Sequence, residues 1–289
     1  MVNQTTDACI GIDGGGTNCR FALRLGARRW DVKLAGANAS TDFDRAVETL
    51  RSGLDQLATA AGITDTQMAE IPTFIGLAGV MDAAMGAAIA TALPQKNVTV
   101  EDDKRTAMVG ALGASDGCIL GIGTGTFIGR RAGGVDRLIG GWGLVLGDVA
   151  SGGYLGRGLL SRVLEVEDGL HPASELTRET LAELTSPAAI VGFAARATPG
   201  DFARFAPRIV EAANAGDING LALVQDGAAH IARRLKHLGW QSDETIVPIG
   251  GLAPHYAPFL PAEMAACIVP PQGSSLDGAL TLAAQMGEK

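Results

Sequence analysis

Apolar and polar positions change rhythm several times along this chain, and each change marks an element. Residues 9–13 read CIGID, break into the glycine-rich turn GGGTN, and resume as CRFAL. Cys19, Phe21 and Leu23 alternate with Arg20, Ala22 and Arg24, as in a half-buried strand. The glycine turn is therefore expected between two strands. Val47, Leu50, Leu54 and Leu57 then share one face at helical spacing. Ser40, Thr41 or Asp42 can cap that helix, and Gly62 can end it. PTFIGLAGV (72–80) reads as a buried strand, and a helix of small residues follows from about Asp82. NVTVEDD (97–103) is a short strand ending in acids, and residues 105–113 are helical again. Strands alternating with helices predict an α/β domain.

Near residue 114 the pattern restarts. GCILGIGTGTFIGRRAG is again strand, glycine turn and strand, an echo of residues 9–24. Residues 158–239 are largely helical. There Val224, Ala228, Ile231, Leu235 and Leu238 form an apolar stripe that stops at Gly239. TIVPIGGLA is a late strand ending in paired glycines, and GSSLDGALTLAAQMG closes the chain as a helix. The expected organisation is two lobes with a hinge-like boundary and no long linker. The first comprises residues 1–113 plus 275–289, the second residues 114–274.

Composition supports two cores and narrows the partners. The chain has 289 residues, 47% of them hydrophobic and 19% charged. That length suits two domains of ordinary size. The formal net charge of −8 repels nucleic-acid phosphates and anionic membranes, so neither is an expected partner. The N-terminus, MVNQTTDACIGID, lacks the charged and apolar regions of an export signal, and no apolar stretch is long enough to span a bilayer. A cytoplasmic location is expected. Cys9, Cys19, Cys118 and Cys267 form no CxxC pair, which speaks against zinc, iron–sulfur clusters and disulfides.

The sharpest motif is GIDGGGTN, Gly11–Asn18. Gly14, Gly15 and Gly16 let the backbone turn tightly and aim N–H groups at an anion. Thr17 and Asn18 add side-chain donors. Asp13, just before the turn, can hold Mg²⁺ through water. The alternative is a plain glycine hairpin. A Walker A loop is excluded, because the chain has no Gly-Lys pair. A Rossmann fingerprint is excluded too, because a strand rather than a helix follows the glycines. GIGTGT, Gly121–Thr126, has the same flexible backbone, with Thr124, Gly125 and Thr126 in place of the acid-led turn. Two such loops suggest jaws on opposite sides of one triphosphate.

GIDGGGT, GLAG (Gly76–Gly79), GTGT (Gly123–Thr126), GGWG (Gly140–Gly143), Gly147-Asp148-x-x-Ser151 and Ile249-Gly250-Gly251 occur in that order. Together they resemble the N-acetylglucosamine kinase and glucosamine kinase branch of the actin-like ATPase superfamily, also named after the BadF/BadG/BcrA/BcrD ATPases. The resemblance covers nearly the whole chain. It implies a two-lobed, ribonuclease H-like α/β fold with a nucleotide cleft between the lobes. It also implies ATP and Mg²⁺ as cofactors, an amino sugar as substrate, and a homodimer. Thr17 and Thr124 would contact the ATP phosphates, while Gly250 and Gly251 would admit the adenosine. Asn38, Gly79, Gly141, Trp142, Gly143 and Asp148 would hold the sugar. Asp103 matches the family's catalytic acid.

Asp103 can also be argued from chemistry. A sugar hydroxyl must lose its proton as it attacks phosphorus, and a carboxylate at a strand end can accept it. Asp102 and Glu101 compete for that role, and Asp103 has a second reading as the cap of a helix starting near Thr106. Trp142 reads equally as a packing anchor or a stacking platform. Asn38 and Asp148 read also as turn residues. His171, His230, His237 and His255 read as surface or loop residues. The N-acetylglucosamine kinases usually have GDEGS where this chain has Gly147-Asp148-Val149-Ala150-Ser151. The missing acid is closer to the glucosamine kinases. Two other classes stay in view: an ATPase activator of a redox enzyme, which would need cluster-binding cysteines, and a non-catalytic sugar sensor.

Overall fold

The computed structural model describes residues 8–287. The reading of the N-terminus as carrying no export signal rests largely on residues 1–7, outside the described residues. The chain divides into two compact units. The described residues up to Ala114 join those from Pro271 onward, and Ser115–Pro270 form the other.

The first unit is built on a five-stranded sheet. Its elements are β1 (Ala8–Gly14), β2 (Asn18–Leu25), β3 (Arg28–Ala35), α1 (Phe43–Ala61), α2 (Asp65–Ala69), β4 (Thr73–Leu77), α3 (Ala83–Ala92), β5 (Val98–Glu101) and α4 (Asp103–Leu112). The strand order is β3-β2-β1-β4-β5, with β1, β4 and β5 parallel and the first three strands an antiparallel meander. Successive residues of β1 serve opposite faces. Ile10 and Ile12 pack with Leu50, Leu54 and Leu57 of α1, while Cys9 joins Leu276, Leu280 and Ala283 of the C-terminal helix. Asp42 caps α1, accepting from Arg45 N at 3.0 Å, and Gly62 ends it in the left-handed region.

In the second unit come β6 (Gly117–Ile122), β7 (Thr126–Ala132), β8 (Val135–Gly140), α5 (Gly152–Glu167), α6 (Glu175–Leu184), α7 (Pro187–Ala194), α8 (Pro199–Ala203), α9 (Ala206–Asn214), α10 (Ile218–His237), β9 (Ile246–Ile249), a 3₁₀ segment (Ala253–Phe259) and α11 (Ala262–Ala265). The sheet order is β8-β7-β6-β9, and β9 runs parallel to β6. The stripe on α10 is buried as the spacing requires. The chain then returns to the first unit as α12 (Ser275–Gly287).

Three readings need correction. Ala114 and the segment Pro271–Ser274, expected in the second unit, belong to the first. Gln272 N donates to Ala111 O at 3.0 Å, and Gly110 of α4 packs so closely on Ser274 that a Cβ there would lie 2.0 Å from its carbonyl oxygen. The strands β3 and β8 are absent from the sequence reading, although Trp30, Val32 and Leu34 alternate with more exposed neighbours. Finally, α4 begins at Asp103 rather than near Thr106, and its cap is Asp102.

Candidate active site

In the first unit the parallel strands bring the candidate residues to one end of the sheet. Asp13, Gly76 and Glu101 are partners in register on β1, β4 and β5. The loops leaving these carboxyl ends therefore share one side, where α/β sheets generally hold ligands. Gly15-Gly16-Thr17 forms the hairpin tip, closed by Gly15 N to Asn18 O at 3.0 Å, with Thr17 and Asn18 exposed. The Asn38 loop is stitched to that tip, since Gly36 N donates to Thr17 O and Ala37 N to Gly15 O, both at 3.1 Å. Ala39 N in turn donates to Ala78 O at 2.9 Å, which adds the GLAG loop.

Asn38 is a turn residue first. Its Oδ1 accepts from Ser40 Oγ at 2.8 Å, Ser40 N at 3.0 Å and Thr41 N at 3.3 Å. That oxygen is saturated, so only the side-chain NH₂ can serve a ligand. Gly79 makes room for it. A Cβ on Gly79 would lie 2.2 Å from Asn38 Oδ1, and its φ is +83°. The structure thus gives Gly79 a packing reason independent of any substrate.

Three consecutive acids end this edge, and two are occupied. Glu101 pairs with Arg105 at 2.8 Å. Asp102 caps α4, accepting from Lys104 N at 3.0 Å, and pairs with the Lys104 ammonium. Asp103 has no ion-pair partner among the described residues. Burial, then the charges of Asp102 and Asp13, push its pKa up to about 6, against a smaller opposing pull from Lys104. Such a carboxylate is ionised at neutral pH yet basic enough to accept a proton.

Asp13 is buried beneath the hairpin, 5% exposed. Arg20 on the paired strand places Nη2 2.8 Å from Asp13 Oδ2. Burial raises its pKa, and Arg20 opposes that shift. Among the described residues no cluster of three or more acids, histidines or cysteines could cage a metal. A single buried carboxylate beside a glycine hairpin does suit Mg²⁺, which binds through one or two carboxylates, water and substrate phosphates.

The second unit gathers the other motifs. Gly123 N donates to Gly125 O at 3.0 Å, tightening the GTGT loop. Gly141 N donates to Thr126 O at 2.8 Å, so the GGWG loop is tied to it. Gly152 N to Gly123 O at 2.8 Å and Gly153 N to Thr124 O at 3.2 Å join the start of α5 to the same loop. Asp148 lies over it too, because a Cβ on Gly125 would be 2.8 Å from Asp148 Oδ2. Asp148 and Ala150 both have left-handed backbone, φ +54° and +76°. Thr124 is exposed, whereas Thr126 is buried and its Oγ1 lacks a hydrogen-bond partner among the described residues. Trp142 is 68% exposed, which removes the packing-anchor reading. Gly143 adjoins it with φ +81°.

A cavity of about 620 Å³ opens beside the GTGT loop. Gly123, Thr124 and Gly152 form one part of its lining and Gly251, Leu252 and His255 another. Gly250 permits this shape, since a Cβ there would lie 2.5 Å from Ile122 O. Pro207, Val210, Glu211 and Asn214 of α9 also face the cavity, with apolar and polar groups in the mix that suits a nucleoside. No local motif marks these α9 residues or His255. None of the four cysteines, all among the described residues, forms a disulfide. Cys9, Cys19 and Cys118 are buried, and burial pushes the Cys19 and Cys118 thiols up to about 12.

Known proteins resemble this chain in sequence and in fold. The chain is 29% identical over 278 residues to a glucosamine kinase of Vibrio cholerae serotype O1, covering 95% of each. A solved Chromobacterium violaceum structure, provisionally assigned as an N-acetylglucosamine kinase, superposes with a TM-score of 0.86 at 28% identity, over 96% of this chain and 99% of that one. A ROK family glucokinase from Streptomyces griseus, in complex with glucose and AMPPNP, shares the fold at 19% identity with a TM-score of 0.58, over 96% and 99%. The family model for BadF/BadG/BcrA/BcrD ATPases matches residues 10–260, and on that extent the chain belongs to the BadF/BadG/BcrA/BcrD ATPase family.

Proposed function

We propose that the protein is an ATP-dependent kinase of an amino sugar, with glucosamine as the preferred acceptor. The observation that carries the reading is Asp103. It is the one acid of three at the β5–α4 corner with no ion-pair partner among the described residues, and its pKa of about 6 suits a general base. The similarity to a glucosamine kinase over nearly the full length supports the substrate class.

In this reading Asp103 takes the proton of the sugar hydroxyl as it attacks the γ-phosphorus. Hairpin N–H groups and the hydroxyls of Thr17 and Thr124 orient and stabilise phosphate oxygens. Asp13 would hold Mg²⁺ through water, and the ion would neutralise charge on the phosphates. The cavity beside Gly251 takes the adenosine. Trp142, Asn38 through its NH₂, and Asp148 contact the sugar. Alignment of hydroxyl and phosphorus accounts for most of the acceleration.

Two observations support glucosamine over its N-acetyl form. Val149 stands where the N-acetylglucosamine kinases usually carry an acid, and Asp103, with no ion-pair partner among the described residues, leaves negative charge that favours an ammonium. An ADP-release assay with glucose, glucosamine and N-acetylglucosamine tests this. Glucosamine should show the highest kcat/KM, and a preference for glucose would sink the proposal. Three of the four cysteines are buried, and no cluster that could hold a metal is present among the described residues, which disfavours a redox activator.

A further inference from the structure

A buried phenol ties the wall of the nucleotide-sized cavity to the Asp148 turn. Tyr256 follows His255 and lies four residues after Leu252, and both neighbours line that cavity. Its ring is 1% exposed, and its Oη donates to Ala150 O at 2.8 Å. Gly227 on α10 provides the space, since a Cβ there would lie 2.5 Å from Tyr256 Oη.

The acceptor is itself in a disfavoured conformation. Ala150 and Asp148 hold positive φ angles that side-chain-bearing residues rarely adopt, and such backbone persists only where its surroundings fix it. One side of the turn is fixed by Ser151 N to Asp148 O at 3.0 Å and Gly152 N to Gly123 O at 2.8 Å. Tyr256 supplies a third restraint, from a different element. Burial, with the charges of Asp226 and Tyr154, pushes the phenol pKa upward, so the hydroxyl keeps its proton and stays a donor.

We propose that Tyr256 is a positioning residue: its hydroxyl holds the Asp148–Ala150 turn in the left-handed conformation and so keeps the Asp148 carboxylate against the Gly123–Thr126 loop. The catalytic meaning of that carboxylate rests on the kinase reading above, whereas the restraint on the turn does not. A ring that only filled the core would be replaced by phenylalanine without functional consequence.

The test compares Tyr256→Phe with the unsubstituted full chain by amide hydrogen exchange and by glucosamine-dependent ADP release. Residues 147–153 should exchange at least tenfold faster in the variant, while β6 and α10 keep their protection. The kcat/KM for glucosamine should fall about tenfold, with the KM for ATP held within twofold. On an Asp148→Asn background the same change should add no further loss. Unchanged exchange in the turn overturns the proposal, as does a loss that adds in full to that of Asp148→Asn. Faster exchange spread evenly over the second unit also overturns it, because that reports general loosening. If the unsubstituted chain releases no ADP with any of the three sugars, the kinase reading fails, and the exchange comparison still decides the restraint.

Discussion

Glu101, Asp102 and Asp103 differ in what each carboxylate already holds. Arg105 and Lys104 occupy the first two, and capping fixes Asp102 further. Asp103 is left in a poorly solvated position facing other acids, which raises its pKa to about 6. If it is the base, kcat/KM should climb with pH, about tenfold per unit below about 6, and level off above. Asp103→Glu should displace that limb, and a profile flat from pH 5 to 8 contradicts the assignment. The same shift has a stability consequence of definite sign. Because the folded-state pKa lies above the unfolded value of 3.8, the favourable contribution is complete below about pH 4 and lost as pH rises through about 6. Asp103→Asn should therefore stabilise the protein at pH 8 by on the order of 2 kcal/mol and leave it nearly unchanged at pH 4. Thermal melts at the two pH values check this, and equal melting temperatures at pH 8 would argue against a strained carboxylate. The acidic strand end was legible in the sequence. The choice among its three acids was not, because strand alternation cannot say where the strand stops, and the capping bond that decides it is local geometry.

At the level of elements, α4 carries Asp103, and its seat depends on close helix packing. A Cβ on Gly278 of α12 would lie 2.0 Å from Thr106 O on α4, against backbone that cannot yield. Gly278→Ala should cost about 1–3 kcal/mol by overpacking and lower turnover with it. Chemical denaturation measures the first, and an unchanged midpoint would show that the helices separate easily. Gly192 offers the contrast, lying inside α7 with nothing within 4 Å of a Cβ. Gly192→Ala should stabilise by about 0.5–1 kcal/mol through helix propensity. The long helices were legible because their apolar positions repeat at 3.6 residues, and the central strands β4 and β6 because they are short apolar runs, buried at every position. The edge strands β3 and β8 were harder than the other two edges, β5 and β9, since their inward positions are only half-buried. Even so, Gly133 and Gly134, both at positive φ, are the residues a tight hairpin before β8 demands. The α9 residues lining the cavity were illegible for a different reason. Glu211 and Asn214 lie on an ordinary amphipathic helix, and only the tertiary fold brings that helix to the Gly123–Thr124 loop.

For the molecule as a whole, the sequence echo between residues 9–24 and 117–133 corresponds to repeated architecture. Each unit has an antiparallel three-stranded meander whose first strand is also paired in parallel with a later one. Each places a glycine turn directly after that first strand. The return of the C-terminus to the first unit was visible in outline, but its start at Pro271 depends on contacts with α4 that no local pattern encodes. No described helix is long and apolar enough to cross a membrane. The central claim is phosphoryl transfer to an amino sugar with Asp103 as base. The most direct measurement is ADP release with and without glucosamine, in the unsubstituted chain and in Asp103→Asn, with ATP binding measured in parallel. The expected result is release that requires the sugar, falls by about 10²–10⁴ in the variant, and leaves ATP affinity intact. Release independent of any sugar, or near-normal turnover in Asp103→Asn, would contradict it.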